Sequence, residues 1–174
     1  MNMEIKTERL ILAPIGTRHL ESTYAYASDP ENTRLMMFMP LADLAETRKY
    51  LAYFEAEWQK PKPVYCEFAI LLDGAHIGEV GVDFLNGPDI AELGWVLHPR
   101  YHGRGYATEA ARAVIDFAVT RFGASHFIAH CDSENAASQS VMRKLGMTMT
   151  DAGGVRRNRA SDEPRVEYTY ELCL

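Results

Sequence analysis

The residues with the clearest chemical potential run from Ala91-Glu-Leu-Gly-Trp-Val-Leu-His98 into Pro99-Arg-Tyr-His-Gly-Arg-Gly-Tyr-Ala107. An apolar strand with one carboxylate, Glu92, stops at a proline, passes a turn holding Gly103 and Gly105, and opens a long helix. The first amides of a helix have no acceptor inside it, and the helix dipole adds positive potential at that end. Glycines just before such an end let the backbone approach a bulky anion with no Cβ in the way. The amides from His102 through Gly103, Arg104, Gly105 and Tyr106 to Ala107 therefore suit a pyrophosphate. The Arg104 side chain is a further phosphate ligand, and Arg100 either another or a brace for the turn. An ordinary strand-to-helix turn has the same spacing. The Gly-Lys-Ser/Thr of a P-loop is absent, as are the third glycine and distal acid of the dinucleotide fingerprint.

The rest of the chain supplies the elements that must position this turn. Thr7 to Ala13 alternates as a first strand, and Thr17 suits the cap of a helix that Asp29-Pro30 ends. After a methionine-rich stretch (Met36, Met37, Met39), Asp43-x-x-Glu46 has the form of a capping box. Leu44, Thr47, Leu51, Phe54 and Trp58 then recur at helical steps. Asp73-Gly74 predicts a hairpin between strands Tyr65–Leu72 and Ala75–Leu85, and Asn86-Gly87-Pro88 turns into the strand Ile90–Leu97. The helix after the glycine turn stops at Gly123. Then follow a strand His126–Asp132, a helix Asn135–Leu145 closed by Gly146, a strand Met147–Asp151, a polar loop to Pro164 and a last strand Val166–Leu172. This pattern reads as one α+β domain over residues 1–174, with about seven strands and about four helices. The arginines 156, 157, 159 and 165 read as a solvated loop, or as contacts to an acidic partner or a phosphate group.

Composition narrows the function classes. With 47% apolar and 24% charged residues, the chain reads as an ordinary globular protein of the cytoplasm, without a signal peptide or membrane span. Cys66, Cys131 and Cys173 are odd in number and lack metal-ligand spacing, so they read as free thiols in a reducing compartment, and no metal is expected. A net charge of -6 argues against nucleic acid and fits a cationic partner, although many acidic proteins have none.

Taken in order, Arg100-x-x-Gly103-x-Gly105-x-Ala107 follows a strand carrying Glu92, and Asn135-x-x-Ser138 and Lys144-Leu145-Gly146-Met147 come after it. With the opening Thr7-Glu8-Arg9-Leu10-Ile11-Leu12, the set resembles the GNAT superfamily of acyl-CoA-dependent N-acetyltransferases. More narrowly, it is similar to the branch of ribosomal-protein N-terminal acetyltransferases. The resemblance runs from about Thr7 to Leu172 and implies a single mixed, mostly antiparallel sheet flanked by helices.

The resemblance further implies acetyl-CoA as the acyl donor, its pantetheine arm lying along Trp95, Val96 and Leu97 and reaching Asn135. Asn135 also suits a helix N-cap. The acceptor would be a primary amine, either a protein N-terminus or a small molecule, attacked directly in a ternary complex. An amine near pKa 10 must lose a proton first, and Glu92, beside the thioester, is the leading base. His130 is the second, at the spacing where many relatives carry a catalytic glutamate; a structural histidine at a strand end fits equally. Many members place a tyrosine seven residues after the asparagine to protonate the leaving thiolate, but here that residue is Met142. Ser138 matches the serine of the N-terminal acetyltransferase branch and takes the acid's place, with Ser140 turned to another face. A monomer or homodimer is expected, with no nucleic acid or membrane partner. The reading from another class is a catalytically silent module that binds or senses acyl-CoA.

Overall fold

A computed structural model describes residues 3–84 and 90–174. Turn chemistry fixes its first hairpin: Asp73 and Gly74 both have positive φ (50° and 81°), joining β3 (Tyr65–Leu72) to β4 (Ala75–Asp83). Strand β5 (Ile90–Leu97) lies antiparallel to β4. Leu85 and the expected turn at Asn86-Gly87-Pro88 lie outside the described residues.

The opening segment differs from one continuous strand. Thr7 and Leu10 bond to each other across a tight turn, Thr7 N–H to the Leu10 carbonyl (2.9 Å) and Leu10 N–H to Thr7 Oγ1 (3.0 Å). The turn splits the strand into β1 (Ile5–Lys6) and β2 (Ile11–Pro14). Thr17 is not a cap either. Its amide and hydroxyl both donate to Glu55, and a 3-10 turn (Thr17–His19) leads into α1 (Leu20–Ala27). Asp29 caps a further short helix, α2 (Pro30–Thr33). The Asp43 carboxylate accepts from Glu46 N–H at the start of α3 (Leu44–Glu57), while Glu46 reaches back to Ala42 N–H.

Helix α4 (Tyr106–Phe122) runs between Gly105 and Gly123, both left-handed (φ 83° and 74°). Then come β6 (His126–Asp132) and α5 (Ala136–Lys144). Residues 151–157 are not a loop: β7 (Thr148–Arg157) continues through them against β8 (Pro164–Cys173). The described sheet has the order β1-β2-β3-β4-β5-β6-β8-β7, and only β5 and β6 pair in parallel.

The sheet separates two layers. Against one face α4 packs Ala110, Ala111 and Val114 over Val80, Val82, Leu93 and Leu97 in the main core. The other face is covered by α1, α3 and the segment between α2 and α3, through Tyr26, Met39, Leu41 and Val96 and through Ile15, Leu20, Leu51 and Ala69. One break in the sheet matters most. Strands β5 and β6 pair only from Ile90↔His126 to Glu92↔Ile128, and beyond that point they part. Among the described residues no helix is long and apolar enough to cross a membrane, and no His/Cys/Asp/Glu group could hold a metal ion.

Candidate active site

The turn between β5 and α4 opens onto the parted strands. Gly103 and Gly105 have φ of 73° and 83°, conformations that L side chains rarely adopt, so glycine is needed for backbone shape. Among the described residues the amides of Gly103, Arg104, Gly105, Tyr106 and Ala107 have no hydrogen-bond acceptor. His102 is different: its amide donates to the Pro99 carbonyl (3.1 Å) and its Nε2 contacts the Leu97 carbonyl (3.0 Å), so it braces the turn. The Arg100 amide donates to His98 Nδ1, and the exposed guanidiniums of Arg100 and Arg104 have no partner among the described residues.

The opening Thr-x-Arg-Leu motif proves to be a clamp on this turn. Glu109, in the first turn of α4, accepts from Thr7 Oγ1 (2.6 Å), Arg9 N–H (2.8 Å) and Arg9 Nε (2.7 Å). Burial alone would raise the Glu109 carboxyl, but these bonds outweigh it and hold it below the ordinary range. Arg9 also donates to the Arg104 carbonyl (3.0 Å) and stacks 4.6 Å from the centre of the Tyr106 ring.

Past Glu92, the free edge of β5 carries Gly94, Trp95, Val96 and Leu97. The Leu97 carbonyl is already used, by His102 and by Asn32 Nδ2 (3.1 Å). Gly94 is exposed in mid-sheet, with open space where a Cβ would stand. Facing this edge, Asn135 caps α5, its Oδ1 accepting the Ser138 amide (3.0 Å) while its Nδ2 has no partner among the described residues. Met142 is 1% exposed, sunk in the main core rather than turned to the opening.

Cross-strand partners and residues two apart share a face of a sheet. The registers Glu92↔Ile128, His130↔Thr169 and Gly154↔Glu167 thus put Glu92, His130, Thr169, Glu167 and Arg156 on one face, opposite α4. Burial raises the Glu92 carboxyl, and Asp83, its cross-strand neighbour, raises it further; His130 opposes them. His130 Nδ1 contacts Thr169 Oγ1 (3.0 Å) and lies 3.7 Å from Glu167. Further along, Glu79 is 2% exposed and accepts from Tyr50 (2.5 Å) and Tyr26 (3.1 Å). Burial pushes its carboxyl up to about 7 against these bonds.

The arginines divide: Arg156 is 8% exposed and Arg165 chelates the fully buried Asp132, whereas Arg157 and Arg159 are exposed, the latter tying Phe38 and Glu46. One cleft of about 440 Å³ gathers Glu92, Trp95, Val96, Leu97, His102, Gly103, Gly105, Tyr106, Ala107, His130, Asn135 and Ser138. Arg100 and Arg104 do not border it; Ser140, Met36, Met37 and Arg156 do. Arg9, Glu109 and Glu167 are the participants that sequence reasoning missed, while Arg156 was read chiefly as part of a solvated loop. Of these only Arg9 had been signalled, through the Thr-x-Arg-Leu motif and then as a family mark.

The acetyltransferase (GNAT) domain family model matches residues 9–148. An uncharacterized N-acetyltransferase of Bacillus subtilis, YnaD, is 30% identical over 83% of this chain and 82% of its own. Among solved structures, a GNAT-family acetyltransferase from Bacillus anthracis superposes with a TM-score of 0.84 at 25% identity, covering 98% of both chains. The ribosomal L7/L12 alpha-N-protein acetyltransferase RimL, solved with coenzyme A, shares the fold (TM-score 0.84; 15% identity; 99% and 98% covered). A glycine turn with free amides, set where two parallel strands separate, is the part of the chain these matches enclose, and the protein belongs to the GNAT acetyltransferase family.

Proposed function

We propose that this acetyltransferase moves the acetyl group of acetyl-CoA to a primary amine, a protein N-terminal α-amine or that of a small molecule, by direct attack in a ternary complex. One observation carries the reading: unpaired turn amides, the free edge of β5 and the raised carboxyl of Glu92 converge on one cleft. The amides from Gly103 to Ala107 suit the pyrophosphate, and the Asn135 Nδ2 together with the β5 edge suits the pantetheine amides. The amine nitrogen attacks the thioester carbonyl carbon, its proton passes to Glu92, and the C–S bond breaks. The thiolate then takes a proton from Ser138, which regains one from solvent and stands in the first turn of α5 where the dipole favours negative charge. A carboxyl raised above its ordinary range is a stronger base than an unperturbed one, which supports Glu92 in this role. Burial pushes the Cys131 thiol up to about 11 and Cys66 to about 12, which weighs against an acyl-cysteine route.

The test is release of CoA thiol from acetyl-CoA over a panel of peptide and small-molecule amines, with both substrates varied. Intersecting initial-rate lines are expected. Parallel lines would replace direct attack with a covalent route. Calorimetric binding of acetyl-CoA with no thiol released from any amine would mark a silent binding module.

A further inference from the structure

The turn that presents Asn135 to the cleft is built on one buried carboxylate. Asp132 closes β6, is fully buried and does not border the cleft. By that point β6 has parted from β5, and its pairing with β8 has run to Asp132↔Glu167. The chain then turns through Ser133 and Glu134. The Asp132 carbonyl accepts the Asn135 amide (2.8 Å), and its Oδ1 accepts the Glu134 amide (2.9 Å). Asn135 follows with φ -82° and ψ 71°, outside the extended region where a helix cap usually sits. Its Oδ1 holds the Ser138 amide (3.0 Å), so the direction of its Nδ2 follows from where the turn sets its backbone.

Further donors reach the same carboxylate from the β7–β8 hairpin. Arg165 gives Nε to Oδ2 and Nη2 to Oδ1 (3.1 Å), and Asn158 gives Nδ2 to Oδ2 (2.8 Å). Asn158 is held in that sense, because its Oδ1 takes Arg156 Nε (3.0 Å). Burial alone would raise the Asp132 carboxyl, but the bonds from Arg165, Glu134 and Asn158 outweigh it and hold it down to about 2. The hairpin thus fixes the carboxylate in one orientation, with Oδ1 under the Glu134 amide.

We infer that Asp132 is a positioning residue for acetyl transfer: its Oδ1 sets the turn that aims Asn135, and with it Ser138, at the acyl donor. This rests on the acetyl-transfer reading given above, in which Asn135 meets the pantetheine arm. Alanine at 132 leaves the Glu134 amide without its acceptor and lets the turn open. Serine also gives up the bonds to Arg165 and Asn158, yet its hydroxyl still accepts an amide two residues on and keeps the turn.

The experiment measures, by calorimetry, the dissociation constants of acetyl-CoA and of 3′-phospho-ADP, the cofactor cut off before its pantetheine arm. Wild type is compared with Asn135→Ala, Asp132→Ala, Asp132→Ser and the Asn135→Ala/Asp132→Ala pair, beside thermal unfolding. Asn135→Ala and Asp132→Ala are each expected to weaken acetyl-CoA about 3- to 10-fold, the worth of one neutral hydrogen bond, and to leave 3′-phospho-ADP unchanged. The pair is expected to bind no worse than Asn135→Ala alone, since both act on one contact. Asp132→Ser should melt as early as Asp132→Ala and yet recover most of the affinity. A purely structural carboxylate would lower the melting temperature in both Asp132 variants and move both ligands alike or neither, and that result overturns the inference. Should the Asp132 variants fail to fold, Arg165→Lys, which no longer bridges the two oxygens, decides: a loss confined to acetyl-CoA supports the inference and none overturns it. Weaker acetyl-CoA binding in Asn135→Ala alone leaves the cofactor reading standing without Asp132. No effect of Asn135→Ala refutes the pantetheine contact itself, and the role of Asp132 with it.

Discussion

Replacing Arg9 with methionine keeps much of the side-chain stem and removes the guanidinium that ties the chain's first turn to the glycine loop. Three contacts are lost. The ion pair to Glu109 is short (2.6 Å), but the Arg9 side chain is 41% exposed, so solvent screening limits the pair to about 1 kcal/mol or less. The bond to the Arg104 carbonyl is worth about 1 kcal/mol, and the stacking on Tyr106 about 0.5–1 kcal/mol. The last two contacts act on the loop itself, so about 1.5 kcal/mol of their sum bears on whether its amides stay in the anion-ready conformation. A ligand that needs that conformation loses affinity in proportion to its population, here by up to about tenfold.

The assay is calorimetric titration with CoA at 0.15 M and at 1 M salt, beside thermal unfolding of the same samples. Arg9→Met is expected to lower the melting temperature and raise the dissociation constant by up to about tenfold at low salt. At high salt the gap in melting temperature narrows, because the exposed ion pair weakens in the wild type as well. If the variant melts early yet binds CoA with wild-type affinity, the glycines alone set the loop and the clamp belongs to the fold. Unchanged melting and binding together would refute the clamp entirely.

Three further outcomes follow from the charges in and near the cleft. Glu92→Gln should lower kcat by about 10²–10⁴ at neutral pH and recover part of the loss at high pH, where unprotonated amine is abundant; full activity at pH 7 would transfer the role to His130 or to water. Ser138→Ala should reduce single-turnover rates by a factor on the order of 10² or more with the acetyl-CoA dissociation constant nearly unchanged, and full speed would eliminate Ser138 as the acid. Glu79 has its carboxyl raised from 4.5 to about 7, so the stability it gives is complete below pH 4.5 and lost as pH rises through 7. Glu79→Gln should therefore gain on the wild type between pH 4.5 and 8 in urea unfolding, by up to about 3 kcal/mol, and a pH-independent difference would refute a buried titrating carboxyl.

What the sequence revealed is what local chemistry decides. Strands β5 and β6 have the expected bounds, because an apolar run between a proline or glycine signal and a polar turn needs no distant partner to be recognised. The Asp73-Gly74 hairpin and the two positive-φ glycines of the loop are likewise properties of a few consecutive residues. Strand β7 meets that condition only up to Asp151. Beyond it the strand is mostly exposed and contains Gly153 and Gly154, so no alternating pattern marks the rest. Its strand character comes from pairing with β8, and the shifts of register at Met149, Asp151 and Gly154 erase what alternation remains. The four-residue α2 is too short to show a helical period, leaving only its Asp29-Pro30 start to signal it.

The site divides along the same line. Glu92 and the glycine turn stand out because an acid in an apolar strand and a helix start after glycines are local anomalies. Arg9 and Arg156 do not, since their meaning depends on Glu109, 100 residues away, and on the Leu35 carbonyl, 121 residues away. Net charge carries less, because exposed charges beyond about 8 Å are screened in physiological salt. A total of -6 therefore says little about the field inside the cleft, which is set by the few groups that line it, the carboxylate of Glu92 and the buried guanidinium of Arg156 among them.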